Sequence, residues 1–265
     1  MRCVKRDGNS ERGVFYIAHG RKALGEALIS LNSLRESNPD IGATVCTDLT
    51  DEAERFDGIQ AYTPAELWEI DYHFVTANRH GSIKGRFIGA SPYLETLYLD
   101  CDTFIRGDLS PLFSMLADVD LVLTNGAVWE WGTGDVKLRT TALTDPTYFN
   151  SGVFAFRNVP AIQTLFANWW QAWVDRTAGE SRFKPSNSDQ TVLNILLRSR
   201  ALEQHGVTMA VADNKIWNCV GSMWPQVASA GLWSQVVILH SHICSQSNSL
   251  HVDELPGLPE LARFR

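Results

Sequence analysis

The sequence predicts an α/β protein with a central, mostly parallel sheet flanked by helices, and three observations carry that prediction. Gly13-Val14-Phe15-Tyr16-Ile17-Ala18 is a short continuous apolar run, as expected of a strand covered on both faces. Leu24, Ala27, Leu28, Leu31 and Leu34 then recur at helical spacing. Ile41-Gly42-Ala43-Thr44-Val45-Cys46-Thr47 is a second apolar run, and the order strand-helix-strand implies parallel strands joined by a right-handed crossover.

The elements follow in order. His19-Gly20 turns the chain out of the first strand, Pro39 closes the first helix, and Asp48 ends the second strand. From Trp68 to Arg86 the pattern is mixed helix and loop and carries Arg79, Lys84 and Arg86. Thr96 to Phe104 reads as one buried strand, Leu109 to Leu116 as a short helix, and Asp120 to Thr124 as another strand. Residues 125–147 are rich in Gly and Thr, contain Trp129 and Trp131, and read as a long functional loop. Tyr148 to Phe156 starts polar and becomes a strand, and Pro160 is placed to open a helix with Ile162, Leu165, Phe166, Trp169 and Trp173 on one face. After a polar loop at 177–188, Ser188-Asp189-Gln190 opens a helix with Val192, Leu193, Leu196 and Leu197. Gln235 to Leu239 is a late strand that delivers His240 and, two residues on, His242. No internal repeat or sharp boundary divides residues 1–265, so one domain is expected.

Composition narrows the function. The chain of 265 residues is 45% hydrophobic and 20% charged, and its formal charge of −7 argues against nucleic-acid or anionic-membrane partners, which need a basic footprint. Nothing approaches 18 consecutive apolar residues, so no membrane span is expected, and Met1 to Gly8 lacks the apolar core of a secretory leader. Cys3, Cys46, Cys101, Cys219 and Cys244 are odd in number and scattered, a pattern of reduced thiols in a cytoplasmic protein rather than of a disulfide framework or a zinc site.

The chemistry concentrates at Asp100-Cys101-Asp102. In a strand, residues i and i+2 share a face, so the two carboxylates can aim at one point while Cys101 faces the other way as an apolar filler. Paired carboxylates at a strand exit suit a hard divalent cation, Mn²⁺ or Mg²⁺, which usually serves a phosphate ligand. The plainer alternative is two solvated acids, and the apolar run before Asp100 weighs against it. His240 also ends an apolar strand, where ligands of open α/β sheets gather, and is a third candidate ligand. An imidazole with two carboxylates favours Mn²⁺ over Mg²⁺; by period-two geometry His242 shares the face of His240, and spacing does not choose between them. By themselves Asn150-Ser151-Gly152 would be a turn before a strand and Asp189 a first-turn helix acid. The tryptophans divide similarly: Trp169, Trp170 and Trp173 read as core, Trp129 and Trp131 as acceptor-side candidates.

Four motifs then stand in order: Asp100-Cys101-Asp102, Phe149-Asn150-Ser151-Gly152-Val153, Ser188 to Asn194, and Ile238-Leu239-His240. Together with Lys84 and Ser91-Pro92-Tyr93, they resemble GT-A fold glycosyltransferases, the Rossmann-like nucleotide-diphospho-sugar transferases, and among them glycosyltransferase family 8. The resemblance implies a nucleotide-binding part over about residues 13–124, an acceptor and sugar part over about 125–243 and a tail at 244–265. It implies a metal-dependent transfer of a sugar from a nucleoside-diphosphate sugar, UDP-sugar favoured, to an acceptor hydroxyl with retention. Asp100, Asp102 and His240 match the metal ligands; Ala18, His19 and Asp48 match contacts to base and ribose; Lys84 or Arg86 matches a basic residue near phosphate or sugar. The D-x-D run including Cys101 lies along the donor, and Asn150, Asp189 and Gln190 surround its sugar, with Gln190 near the anomeric carbon. The acceptor is left open among glycan, lipid-linked saccharide, protein and small molecule, at a soluble or loosely membrane-associated site. The family's Gly and Lys-Pro-Trp segment after the metal histidine is replaced here by Ser241-His242-Ile243-Cys244, so Lys215 or His242 would take its place at the diphosphate. Two rival readings of the paired acids are a catalytically silent nucleotide-sugar binding protein and a haloacid-dehalogenase-type phosphatase. The second fits poorly, since Phe104 stands where its motif needs Thr or Val.

Overall fold

A computed structural model describes residues 11–53, 55, 60–62, 83–126, 129–131, 136–138, 147–177, 188–199 and 201–241. The opening unit forms as its pattern requires. Strand β1 (Arg12–Ala18) leads into helix α1 (Gly20–Ser37) and strand β2 (Gly42–Thr47), and β1 and β2 pair in parallel. The turn between β1 and α1 needs Gly20, whose φ is +77°, a region open to glycine at little cost. His19 supplies no side-chain cap to α1. Asp48, just past β2, does so instead: its Oδ1 accepts from Gly20 N at 2.7 Å, placing a carboxylate at the positive end of the helix.

The remaining elements are α2 (Thr50–Ala53), β3 (Gln60–Tyr62), α3 (Ile83–Phe87), β4 (Glu95–Leu99), β5 (Thr103–Ile105), α4 (Ser110–Ser114) and β6 (Leu121–Asn125). Then come the hairpin β7 (Trp129–Trp131) and β8 (Val136–Leu138), β9 (Phe149–Arg157), α5 (Pro160–Thr177) and α6 (Asp189–Arg198). The chain continues through α7 (Ala201–His205), β10 (Met209–Ala212), α8 (Asn214–Trp217), β11 (Cys219–Val220), α9 (Trp224–Ser229) and β12 (Ile238–His240). Among the described residues seven strands form the main sheet in the order β10-β6-β9-β4-β1-β2-β3, and of these β9 alone runs against its neighbours. A second sheet, β11-β12-β5, pairs β12 antiparallel to β5 and parallel to β11.

Alternate residues of the main strands divide the core into two layers. Val14, Tyr16, Leu97, Leu99, Val122 and Val153 pack with the helically spaced Leu24, Ala27, Leu31 and Leu34 of α1 and with Leu112 and Phe113 of α4. Phe15, Ile17, Tyr98, Leu123, Phe154 and Phe156 pack on the other face against Ile162, Leu165, Phe166, Trp169 and Trp173 of α5. Burying one such Leu or Phe contributes about 1.5–3 kcal/mol. Trp169 and Trp173 are therefore core residues, as their spacing predicts. A third cluster, around Phe104, Trp224 and Leu239, fills the space beneath the small sheet.

Three expectations change. The apolar segment Thr96 to Phe104 is two strands, not one: β4 ends at Leu99, Asp100 to Asp102 form a turn, and β5 joins the second sheet. The late strand is shorter than read, since Trp233–Gln235 is a 3₁₀ turn and β12 begins at Ile238. The long segment 125–147 contains the β7–β8 hairpin, whose three-residue strands are too short for periodicity to reveal. The expected tail at 244–265, most of Trp68 to Arg86, most of the polar loop at 177–188, and His242 lie outside the described residues, as do the side chains of Trp129 and Trp131. Among the described residues no helix is long and apolar enough to cross a membrane.

Burial raises the Cys46 and Cys219 thiols from the ordinary 9.0 to about 12. The unfolded chain ionises these thiols first, so their stabilisation is complete below pH 9 and is lost as pH rises towards about 12. Thermal melts across that range will show Tm falling, and Cys46→Ala will make the fall shallower.

Candidate functional site

Backbone pairing, rather than strand periodicity, assembles the acidic site. Asp100 N donates to Gly152 O of β9 at 2.7 Å as the chain leaves β4, and Asp102 is carried round the turn into β5. There β12 pairs with β5 so that His240 lies opposite Thr103, and Ser241 N donates to Asp102 O at 2.8 Å. His240 is thereby held beside both acids. Its Nε2 lies 3.3 Å from Asp102 Oδ1 and 3.8 Å from Asp100 Oδ2, and one donor atom from each of the three residues lies within 4.8 Å of the others. Among the described residues this is the one group of three or more such side chains able to share a cation. Burial pulls the His240 pKa down, but Asp102 and Asp100 together hold it above its ordinary value.

The opposite ring nitrogen is held as well. His240 Nδ1 lies 2.8 Å from Oδ1 of Asn218, a residue with no exposed surface that follows α8. Asn218 Nδ2 donates to Thr124 Oγ1 at 2.9 Å, and Thr124 donates to Val153 O at 2.9 Å.

On the other side of Asp100 stands Lys84, from α3. Its Nζ is 2.8 Å from Asp100 Oδ1 and 3.0 Å from Asp189 Oδ2, with side chains only 12%, 22% and 14% exposed. Burial alone would lower the Lys84 pKa; the two carboxylates outweigh it and hold it above the ordinary value, so the side chain is a cation at neutral pH. Tyr98 donates its hydroxyl to Asp100 Oδ1 at 2.8 Å, and burial followed by the nearby Asp100 charge keeps the phenol protonated.

Asp189 and Gln190 open α6, whose N-cap is Ser188, accepting from Thr191 N. Asp189 is thus the first-turn acid that helix electrostatics favour and also a site residue. Its Oδ2 accepts from Ser151 Oγ at 2.8 Å. Gln190 Oε1 accepts from Asn150 Nδ2 at 3.0 Å, and Gln190 Nε2 donates to Tyr148 Oη at 3.2 Å. Asn150 Oδ1 in turn accepts from Gly152 N at 2.6 Å. The first residues of β9 and the first turn of α6 therefore form one polar wall joined to Asp100 through Lys84.

The residues expected on the nucleotide side lie at the ends of β1 and β2, where a cleft is lined by Ile17, Ala18, His19, Cys46, Thr47, Asp48 and Phe87. His19 Nδ1 is 3.6 Å from Asp48 Oδ2. Cys101 faces away from the acids, as expected, and its Sγ donates to Ile17 O at 3.2 Å. Of the two basic candidates, Lys84 enters the acidic site and Arg86 is exposed. Lys215 is exposed on α8, three residues before Asn218, with its backbone N–H capped by Asp213. Sequence reasoning missed Tyr98, Tyr148, Thr124 and Asn218 as neighbours of the site, and it gave Ser151 and Gly152 no role of their own. Tyr98 alternates with Leu97 and Leu99 like any core residue, and the others carry no periodic or spacing signal.

A strand-end site at the carboxyl edge of a seven-stranded sheet, with acids, a histidine and an amide-lined wall, is the architecture of GT-A nucleotide-sugar glycosyltransferases. Solved structures agree on the fold. The galactosyltransferase LgtC, in complex with donor and acceptor sugar analogs, aligns with a TM-score of 0.56 at 15% identity over 95% of this chain and 94% of LgtC. The glycosyltransferase GlyE of Streptococcus pneumoniae TIGR4 aligns with a TM-score of 0.59 at 18% identity over 97% of this chain, which spans 60% of GlyE. Mouse xyloside xylosyltransferase 1 aligns with a TM-score of 0.51 at 13% identity, over 86% of this chain and 97% of that one. No curated protein matches the chain by sequence. The family model for glycosyl transferase family 8 matches residues 92–240, more than half of the 265-residue chain, and the protein belongs to that family. Membership excludes the phosphatase reading of Asp100-Cys101-Asp102.

Gly152 is the tightest point of the site. A Cβ there would stand 2.5 Å from both Asp100 Oδ2 and His240 Cε1. Gly152→Ala will destabilise the protein by about 1–3 kcal/mol, the usual cost of overpacking, and thermal melts will register it as a lowered Tm.

Proposed function

We propose that this glycosyltransferase moves a hexose from a UDP-sugar to an acceptor hydroxyl, with retention of anomeric configuration, and that it requires Mn²⁺ or Mg²⁺. The observation that carries the reading is the convergence of Asp100, Asp102 and His240 within 4.8 Å at the edge of a GT-A sheet. The donor set is two hard carboxylates and one imidazole, which suits six-coordinate Mn²⁺ with places left for phosphate oxygens and water. Gly152 supports the fit, because the space between Asp100 Oδ2 and His240 Cε1 is one that any side chain would fill. When bound, the cation would supply Lewis-acid stabilisation of the departing nucleoside diphosphate.

The chain's own residues account for the rest. The cleft at Ala18, His19 and Asp48 receives base and ribose, with Cys101 backing the D-x-D turn against Ile17. Lys84, already a largely buried cation, offers its charge to the diphosphate or sugar hydroxyls, while Asp189 and Asn150 bind the sugar hydroxyls. Gln190 stands at the anomeric centre. A carboxamide cannot take a proton, and both its ends are engaged by Asn150 and Tyr148, so it orients the sugar rather than acting as a base. The acceptor's proton then passes to a leaving diphosphate oxygen, the route a retaining same-face attack requires. The buried, free thiols of Cys46, Cys101 and Cys219 suit a reducing, cytoplasmic setting. A glycan, lipid-linked saccharide, protein or small molecule all fit as acceptor.

Isothermal titration with UDP, with and without Mn²⁺, tests the assignment. The expected result is UDP affinity at least tenfold higher with Mn²⁺ (about 1.4 kcal/mol), abolished as a difference by Asp102→Asn. Equal affinity with and without metal in the unaltered protein would sink the metal-dependent reading. A panel of UDP- and GDP-sugars followed for slow donor hydrolysis will identify the sugar.

A further inference from the structure

Resting on the metal-site reading above, we infer that Asn218 is a positioning residue for the transfer reaction: a buried, one-way hydrogen-bond relay through Thr124 and Asn218 holds His240 with Nδ1 donating to Asn218 and Nε2 aimed at Asp100 and Asp102. The direction of the relay follows from its fixed end. Val153 O can only accept, so Thr124 Oγ1, 2.9 Å away, spends its single hydrogen there. Thr124 Oγ1 then faces Asn218 with lone pairs, and at 2.9 Å only the amide NH₂ can serve them. That sets which end of the Asn218 amide is oxygen. The oxygen is the atom 2.8 Å from His240 Nδ1, and because it cannot donate, Nδ1 carries the hydrogen. With Nδ1 committed to Asn218, Nε2 is the ring nitrogen turned to the acids, 3.3 Å from Asp102 Oδ1 and 3.8 Å from Asp100 Oδ2.

The alternative arrangement is specific and opposite in effect. With the amide turned over, its NH₂ would donate to Nδ1, Nε2 would carry the hydrogen, and the ring would be a hydrogen-bond donor to Asp102 with no lone pair for a cation. Turning it would also set the amide oxygen against Thr124 Oγ1, whose hydrogen is committed to Val153. Thr124 is 1% exposed and Asn218 has no exposed surface, so water is not available to satisfy either group in the turned state. The anchor is also well chosen: Val153 adjoins Gly152, whose carbonyl accepts from Asp100 N, so one strand fixes both the imidazole's proton and an acid it faces. Outer partners of this kind commonly set the tautomer and basicity of a ligating histidine.

The test uses the whole protein with three readouts. In metal-free protein, nitrogen-detected NMR of the His240 ring is expected to show Nδ1 bonded to hydrogen whether or not Nε2 is; an Nδ1 without hydrogen would overturn the proposal. Mn²⁺ affinity is expected to fall about 10–100-fold in Asn218→Leu and to fall also in Thr124→Val, which removes only the relay's middle hydroxyl. UDP affinity measured without metal is expected to be the same in all three proteins, a result that general unfolding would not give. Unchanged Mn²⁺ affinity in a folded Asn218→Leu or Thr124→Val variant overturns the inference. Should the unaltered protein bind no Mn²⁺ yet show the Nδ1 proton, the metal reading fails and the relay stands, so the two failures are distinguishable.

Discussion

The meeting of His240 with the two acids depends on the antiparallel pairing of β12 with β5. Asp100 and Asp102 are near in sequence to each other and far from His240, and only this short ladder closes the interval. Its strands are three residues each, too short to hold register by hydrogen bonds alone. Phe104 and Leu239, directly opposite each other, bury the ladder's apolar side against Trp224 and Val227. A hydrophobic cluster outside the polar site therefore sets how close an imidazole comes to two carboxylates.

Charge balance is the second organising fact. Three carboxylates, Asp100, Asp102 and Asp189, crowd a partly buried space, and an uncompensated set would be costly. Lys84 offsets two of them, and Tyr98 and Ser151 add neutral donors to Asp100 and Asp189. Asp102 faces the histidine, and a divalent ion would add most there.

Much of this was legible in the sequence, and the legible parts share a cause. The continuous apolar runs of β1, β2 and β9 and the helical repeat of α1 are direct imprints of burial on two faces or one. Asp100, Asp102 and His240 were visible because charge at the end of an apolar run has few structural reasons to be there. The route to their convergence was not: the i, i+2 argument assumed a continuous strand, whereas a turn at Asp100–Asp102 and a change of sheet bring them together. β10 and β11 left no clear pattern because Met209–Ala212 is largely half-buried to exposed and Cys219–Val220 is two residues long. Asn218 and Thr124 were illegible for a deeper reason. A hydrogen-bond relay leaves no periodic trace, since its meaning lies in partners drawn from three separate elements.

The reversed strand β9 has a consequence for how the protein reaches its working state. It lies between β4 and β6 and supplies Asn150, Ser151 and Gly152 to the site. Until it docks, the sheet is in two pieces and the acids lack the asparagine, serine and glycine that complete the polar wall beside them. A divalent ion that binds only the finished fold would add its binding energy wholly to that state, so the supply of such an ion would set the protein's resistance to unfolding as well as its activity.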